Sequence, residues 1–361
     1  MDAPKTKIAI ISQSLGGGGA ERFAGHLSFL LSDSGFEVHN VILNEPLDYA
    51  CKGAIFNLGA KFKDKPQWRR KVGKMAALKK YLREHQISVV IDNRTRSNFI
   101  RELATQWVYG GRQIYHMIHN YKLDNYLPKN VVLAKWLYRK SRNLICVSKA
   151  IEEKVKRIYG FQNTITIYNP IKLPPINNNS DGLSERYILY FGRFDDKAKN
   201  FKLMLEGFAL SQIYEKGYRL VLMGEGPDLT LIKDEIQKRN VDKFVEIIPY
   251  QENPFAVVEP ARFTILTSHF EGFPMSIIES LAVGTPVLAV DCNSGPREII
   301  ANENNGLLVE NYNASALAKA MNRLIDDEAL YAQCKAGSKQ SVAHLAPDTI
   351  AAQWKAVLAA T

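Results

Sequence analysis

The sequence predicts an α/β fold made of two Rossmann-like, doubly wound domains. Three observations carry this. The chain has 361 residues, enough for two domains that each bury a core. A strand–loop–helix–strand pattern opens each half, and that unit builds parallel sheets. Between the halves runs Pro174-Pro175-Ile176-Asn177-Asn178-Asn179-Ser180-Asp181-Gly182. This polar, turn-rich stretch can continue neither a helix nor a central strand, so it reads as a linker. The expected domains are therefore 1–175 and 176–344.

In the first half, Lys7 to Ile11 is a short apolar strand. Gly16 to Gly19 follow, then a helix from Ala20 to about Ser34, stopped by Gly35. Val38 to Leu43 is the next strand. Ser88 to Ile91, Ile114 to Ile118, Asn143 to Val147 and Ile165 to Tyr168 continue the alternation. In the second half, Tyr187 to Phe191 is the strand, Gly192-Arg193 opens the loop, and Leu203 to Ile213 is helical. Strands over Arg219 to Met223, Val245 to Ile248, Phe263 to Thr267 and Val287 to Val290 complete it. Asp348 to Ala360 reads as an amphipathic helix.

The net charge of +10 hides an asymmetry. Residues 1–180 carry 29 Lys/Arg against 13 Asp/Glu, and residues 181–361 carry 18 against 24. The basic half is suited to an acidic partner: anionic lipid, phosphorylated glycan or nucleic acid. Its densest stretch, Lys61 to Arg83, holds ten Lys/Arg and one acid, with Trp68, Val72, Met75, Leu78 and Leu82 interspersed. It reads either as a basic amphipathic helix lying on an anionic membrane or as an ordinary helix packed on the sheet. Cys51, Cys146, Cys292 and Cys334 lie far apart with no Cys-x-x-Cys pair, which fits buried thiols in a reducing compartment. No apolar run reaches the roughly 20 residues that span a membrane, and no leader is visible. A cytoplasmic location, peripheral to the inner membrane face, is expected.

The segment Glu271-Gly-Phe-Pro-Met-Ser-Ile-Ile-Glu279 is the most informative one. A strand ends, a tight loop with Gly272 and Pro274 follows, and a helix starts near Ser276. Glu271 stands at the loop mouth and Glu279 about one turn into the helix. Loop amides and a helix N-terminus make an anion site, and a nearby carboxylate can accept from a ribose diol. Gly16-Gly17-Gly18-Gly19-Ala20-Glu21-Arg22 also joins a strand to a helix, where amides could cradle phosphate. It lacks the third glycine of Gly-x-Gly-x-x-Gly and the Gly-Lys-Ser/Thr of a P-loop, which disfavours nicotinamide and ATP. Asp92-Asn93-Arg94-Thr95-Arg96-Ser97 is a strand-end cluster, either an acceptor contact or a solvated turn.

The Glu-x7-Glu segment resembles the signature of the retaining family 4 (group 1) glycosyltransferases, which adopt the GT-B fold. The similarity continues through Gly284-Thr285-Pro286 and Ser294-Gly295-Pro296-Arg297-Glu298-Ile299-Ile300. It implies two Rossmann-like domains facing across a cleft, with the last residues, about 345–361, packing back on the N-terminal domain through Trp354. The implied activity moves a sugar from a nucleotide diphosphate donor, UDP in preference to GDP, to a glycan or lipid-linked acceptor of the bacterial envelope. Glu271, with Phe273, Met275 and Ser276 beside it, would meet the donor, Glu271 taking the sugar hydroxyls. Glu279 would take ribose. Arg193 and Lys199 resemble the family's paired cations for the diphosphate, with Lys197 and Lys202 close enough to compete. Gly17 and Gly18 resemble the loop that approaches the diphosphate. His119, in preference to His116, matches a strand-end histidine facing the transferred sugar. No Asp-x-Asp occurs, so the resemblance implies that side chains replace a metal and no cofactor is needed. Gly224-Glu225-Gly226-Pro227 resembles the family's Gly-x-Gly-Pro turn. Pro249-Tyr250 and Ala261-Arg262 depart from it, the first where a glycine adjoins the nucleobase. Rival readings are an epimerase or phosphorylase on this architecture, or a nucleic-acid-binding protein, although no nucleic-acid motif is present.

Overall fold

The computed structural model describes residues 5–171 and 186–359. The expected linker at 174–182, and with it the boundary at 175–176, lies outside the described residues. The chain divides into two compact units, Met1–Pro170 with Pro347–Thr361, and Ile171–Ala346.

Unit 1 begins β1 (Lys7–Ser12), α1 (Gly19–Asp33), β2 (Glu37–Ile42) and β3 (Ala54–Asn57). It continues α2 (Leu58–Lys61), α3 (Gln67–Glu84), β4 (Val89–Asp92) and α4 (Phe99–Tyr109). β5 (Gln113–Ile118), α5 (Val131–Tyr138), β6 (Asn143–Cys146), α6 (Lys149–Tyr159) and β7 (Thr164–Thr166) follow. Unit 2 begins β8 (Tyr187–Phe191), α7 (Asp196–Lys199), α8 (Phe201–Ser211), β9 (Arg219–Met223) and α9 (Leu229–Lys238). Next come β10 (Val245–Ile248), α10 (Phe255–Val258), β11 (Thr264–Leu266), α11 (Met275–Val283) and β12 (Val287–Val290). α12 (Pro296–Ile299), β13 (Gly306–Val309), α13 (Ala314–Asp326) and α14 (Glu328–Ser341) complete it, and α15 (Pro347–Ala359) returns to unit 1.

Both sheets are parallel, in orders β3-β2-β1-β4-β5-β6-β7 and β10-β9-β8-β11-β12-β13. The order reverses between β1 and β4 and between β8 and β11. Parallel sheets place ligands outside the carboxyl ends of strands at such reversals. Every predicted strand forms. The edge strands β3 and β13 were not predicted: one is four residues long and half exposed, the other opens on Gly306. Apolar runs mark strands covered on both faces, which edges are not.

The Lys61–Arg83 helix is broken by Pro66, which caps α3. Leu78 and Leu82 pack on the sheet with Val90, Val108 and Tyr109, while residues 63–72 are all exposed. The reading as an ordinary helix packed on the sheet holds for its second half, and its first part is an exposed basic surface. Trp354 is fully buried, α15 packs on α1, and Tyr115 Oη donates to Val357 O at 3.2 Å. Cys146, Cys292 and Cys334 are buried, Cys51 partly, and all four thiols are free.

Candidate active site

In unit 2, three loops meet at the reversal between β8 and β11. The loop after β8 carries Gly192, Arg193 and α7. Gly192, Gly224 and Gly226 have φ of 147°, 155° and 157°. A Cβ on Gly224 would sit 2.0 Å from Gly192 O, and one on Gly226 2.3 Å from Phe194 O. The Gly-x-Gly-Pro turn thus lets the loops after β8 and β9 touch backbone to backbone, and Phe194 N donates to Glu225 O at 2.7 Å. The loop after β11 holds the end of α7. Thr267 Oγ1 donates to Lys199 O at 3.0 Å and Asn200 O at 3.1 Å, and His269 N donates to Ala198 O at 2.9 Å.

These constraints bring Lys199 and Glu271 together across 72 residues of sequence. Lys199 Nζ donates to Glu271 Oε1 at 2.6 Å, and Ser268 Oγ donates to the same oxygen at 2.6 Å. The side chains are 21% and 12% exposed. Ser294 Oγ donates to Gly272 O at 2.8 Å, and Gly295, at φ 96°, lies where a Cβ would strike Pro274. The turn before α11 is thus held by the segment after β12. Glu279 lies in α11 and is 3% exposed. Arg193 is 58% exposed and donates to Asp195 Oδ2 at 2.8 Å. The Cys292 thiol is pushed up to about 12 by burial, with Glu271 adding to the shift, which disfavours the thiolate.

In unit 1, the parallel reversal lies between β1 and β4. Asn93, just past β4, organises it. Its Nδ2 donates to Ala20 O at 2.8 Å, so Oδ1 is the acceptor facing His119 Nε2 at 2.6 Å. His119 therefore carries its proton on Nε2 and keeps Nδ1 as an acceptor. Its ring meets Phe23 edge-on at 5.1 Å. Burial, with the Arg96 cation, lowers its pKa to about 3, which keeps the imidazole neutral. α1 starts with no side-chain cap at Gly18, and Gly17 has φ 81° with nothing near an added Cβ. His116 is spent inside, bonded to Ser141 Oγ at 2.9 Å.

In the Asp92–Ser97 cluster the charged side chains turn inward rather than forming a solvated turn, while Thr95 and Ser97 are exposed. Arg94 Nε and Nη2 donate to the two carboxylate oxygens of Asp92 at 2.9 and 2.7 Å, and Nη2 also to Glu102 at 3.0 Å. Tyr109 Oη donates to Asp92 at 3.0 Å. Arg96 donates to the carbonyls of Asp92, Arg94 and Met117. All are buried, because the loop turns under α4 rather than outward.

This burial should make unit 1 acid-labile. His116 is lowered to about 3 by burial, helped by Arg96. The unfolded chain takes that proton near pH 6.5, so stability is complete above pH 6.5 and is lost as pH falls toward 3. Burial raises the Asp92 carboxyl, but Arg94 outweighs it and holds it below the usual carboxylate range. That adds a loss below about pH 4. Stability should decline steadily from pH 7 to 4, by up to about 1.4 kcal/mol per pH unit per histidine, the melting temperature should fall with it, and His116→Gln should flatten the decline. A pH-independent melt would refute this.

Comparison with known proteins decides the family. Residues 177–341 match the model described as Glycosyl transferases group 1, and residues 17–173 that described as Glycosyltransferase Family 4. The chain belongs to the group 1, family 4 glycosyltransferases. It is 28% identical over 90% of its length to an N-acetylgalactosaminyltransferase of Campylobacter jejuni acting on a diphospho-undecaprenol-linked acceptor, covering 91% of that protein. It is 26% identical to the lipopolysaccharide 1,6-galactosyltransferase of Escherichia coli, covering 79% of this chain and 76% of that one. In structure it is similar to Anabaena HepE solved with UDP and glucose, with a TM-score of 0.81 at 17% identity, covering 99% of this chain and 100% of that one. Staphylococcus aureus TarM solved with UDP gives 0.79 at 15% identity, covering 98% and 99%. The fold is GT-B.

For this glycosyltransferase, the structure brings Lys199 and Glu271 onto each other, where the sequence reading gave them separate ligands. Arg193 turns to Asp195 instead. Lys197 and Lys202 do not share the Glu271 contact; Lys199 alone of the three does. Phe273 is buried, and Met275 opens α11 with Ser276 beside it. Ser268 and Thr267 were missed as positioning residues, and Asn93, named only as part of the Asp92–Ser97 cluster, turns out to hold His119. Nothing in a sequence says which way Ser or Thr points. Arg262, a departure from the family pattern, donates to Glu328 at 2.6 Å and lies 3.4 Å over Tyr331. It ties β11's approach to α14 and has no part in the site.

Proposed function

We propose that this glycosyltransferase moves a sugar with retention from a UDP-sugar to a glycan or lipid-linked acceptor of the bacterial envelope. Unit 2 holds the donor and unit 1 the acceptor. The observation that carries this is the Lys199–Glu271–Ser268 cluster at the β8/β11 reversal. Lys199 and Arg193 neutralise the departing diphosphate, so no metal is required. Glu271, with one oxygen already held, accepts sugar hydroxyls with the other. Glu279 takes the ribose diol, with Phe273, Met275 and Ser276 lining the same turn. His119 offers Nδ1 to a hydroxyl, and the Gly17 and Gly18 amides are available to an anion. Relatives with nucleotide bound and with lipid-linked acceptors support this reading. So does the exposed basic segment Lys61 to Arg70, which suits an anionic membrane surface.

A thermal-shift series with UDP, GDP, ADP and their sugars tests the donor. UDP and a UDP-sugar should raise the melting temperature most. Glu279→Ala should weaken nucleotide binding by roughly 1.5–3 kcal/mol, because one charge-assisted bond is lost. Unchanged affinity would remove Glu279 from the ribose site. Turnover abolished by a chelator would contradict the metal-free scheme.

A further inference from the structure

Both cations assigned to the diphosphate already carry a carboxylate. Arg193 donates to Asp195 Oδ2 at 2.8 Å, and Lys199 donates to Glu271 Oε1 at 2.6 Å. The two pairs differ in how firmly they are held. Arg193 is 58% exposed, and an exposed pair opens easily and is screened by salt. Lys199 and Glu271 are mostly covered, so their attraction is screened far less.

Glu271 is held even without Lys199. Ser268 is fully buried and donates to the same Oε1 at 2.6 Å, and Glu271 N donates to Asn293 O at 3.2 Å. Gly272 O takes the Ser294 hydroxyl, and Pro274 of the same turn lies against Gly295. A lysine chain is flexible and its ammonium has three donors to share, whereas this carboxylate stays where its turn puts it. The resting site is therefore not a bare anion trap. It sets a fixed negative charge against the ammonium that meets the diphosphate.

Two ligands meet that charge differently. In an intact donor the outer phosphate is esterified to the sugar, and the sugar hydroxyls can donate to the carboxylate. When the bond from the sugar carbon to the phosphate oxygen breaks, its electron pair stays on that oxygen. The sugar passes to the acceptor oxygen, whose proton leaves to the phosphate or to water. The outer phosphate is then terminal. Its second pKa is about 6, so at neutral pH it carries close to one more negative charge, and it brings no hydroxyl.

We propose that Glu271 is the group that tells the intact donor from its diphosphate product. Sugar hydroxyls offset its charge in the donor and nothing offsets it in the product, so the product is held less tightly than its own charge would otherwise allow. Lys199, balanced by Glu271 at rest, adds little to ground-state affinity and acts as charge grows on the leaving phosphate. This discrimination rests on the donor site proposed above.

Calorimetric titration of the full chain with UDP, UDP-glucose, UDP-galactose and UDP-N-acetylgalactosamine tests it, read as the dissociation constant of UDP over that of the tightest UDP-sugar. Glu271→Gln keeps the shape and removes the charge. It should tighten UDP by about tenfold, because a like charge a few ångströms away in a partly covered cleft counts for at least that much. It should leave the donor nearly unchanged, since the weakened hydroxyl bond offsets the freed lysine, and the ratio falls. Lys199→Met should raise the ratio, because Glu271 then stands unopposed. Glu279→Gln also removes a carboxylate, but at the ribose common to both ligands, so it should leave the ratio as it is. UDP bound no more tightly by Glu271→Gln than by the wild type would overturn the proposal, and so would an equal fall of the ratio in Glu279→Gln. A wild type that binds neither UDP nor any of the three sugars would overturn the donor reading itself, and this role of Glu271 with it.

Discussion

Replacing Lys199 by methionine should lower turnover by about 10²–10³-fold while changing donor affinity far less. The side chain keeps its length, and the backbone at 198–200 stays pinned by Thr267 and His269. What disappears is one cation 2.6 Å from Glu271, in a setting only 21% exposed. Negative charge grows on the departing diphosphate only as the glycosidic bond breaks, so the loss falls on the transition state. Arg193→Ala should cost less, because that side chain is mostly exposed and already paired with Asp195. Glu271→Gln should share the defect, since Lys199 would lose the partner that orients it. The measurement is nucleotide release and product formation at saturating donor, with the proposed UDP-sugar tried first. A rise in KM with kcat unchanged would reassign Lys199 to uniform substrate binding.

Arg94→Met should destabilise unit 1 by about 3–5 kcal/mol, the cost of leaving a buried charge uncompensated. Its guanidinium is the shared partner of Asp92 and Glu102, both fully buried. Burial already raises the Glu102 carboxyl, and losing the Arg94 cation that opposes this should raise it further. A loss of this size lowers the unit 1 melting transition by roughly 10 °C. Asp92→Asn combined with Arg94→Met should recover part of it, because one of the two stranded carboxylates is gone. The proposed nucleotide binding by unit 2 should be unaffected. Calorimetry that finds both single and double variants within a degree of wild type would show that the network is not structural.

The fold was legible in the sequence to the extent that it rests on local pattern. Central strands such as Ile8–Ile11 and Leu220–Met223 are continuous apolar runs, because parallel strands covered on both faces need them. Glycines at 192, 224 and 226 were legible as turns, although their reason, two backbones in contact, was not. Pro66 was passed over as a helix break inside the basic stretch. The edge strands were missed because an exposed edge imposes little pattern.

Taken alone, the sequence determined the fold class, the glycosyltransferase resemblance and the identity of the candidate residues. Each of these depends on residue types at short spacing: strand, loop and helix N-terminus around Glu271 to Glu279, and the glycines before α1. Only the tertiary structure decided which groups meet. Lys199 and Glu271 are far apart in sequence and became partners because β8 and β11 are neighbours at the sheet reversal. Asp92, Arg94 and Arg96 looked like a charged surface turn and became a buried network, because α4 covers their loop. Burial and side-chain direction are set by what packs from elsewhere in the chain, and a local reading of residue types carries no record of that.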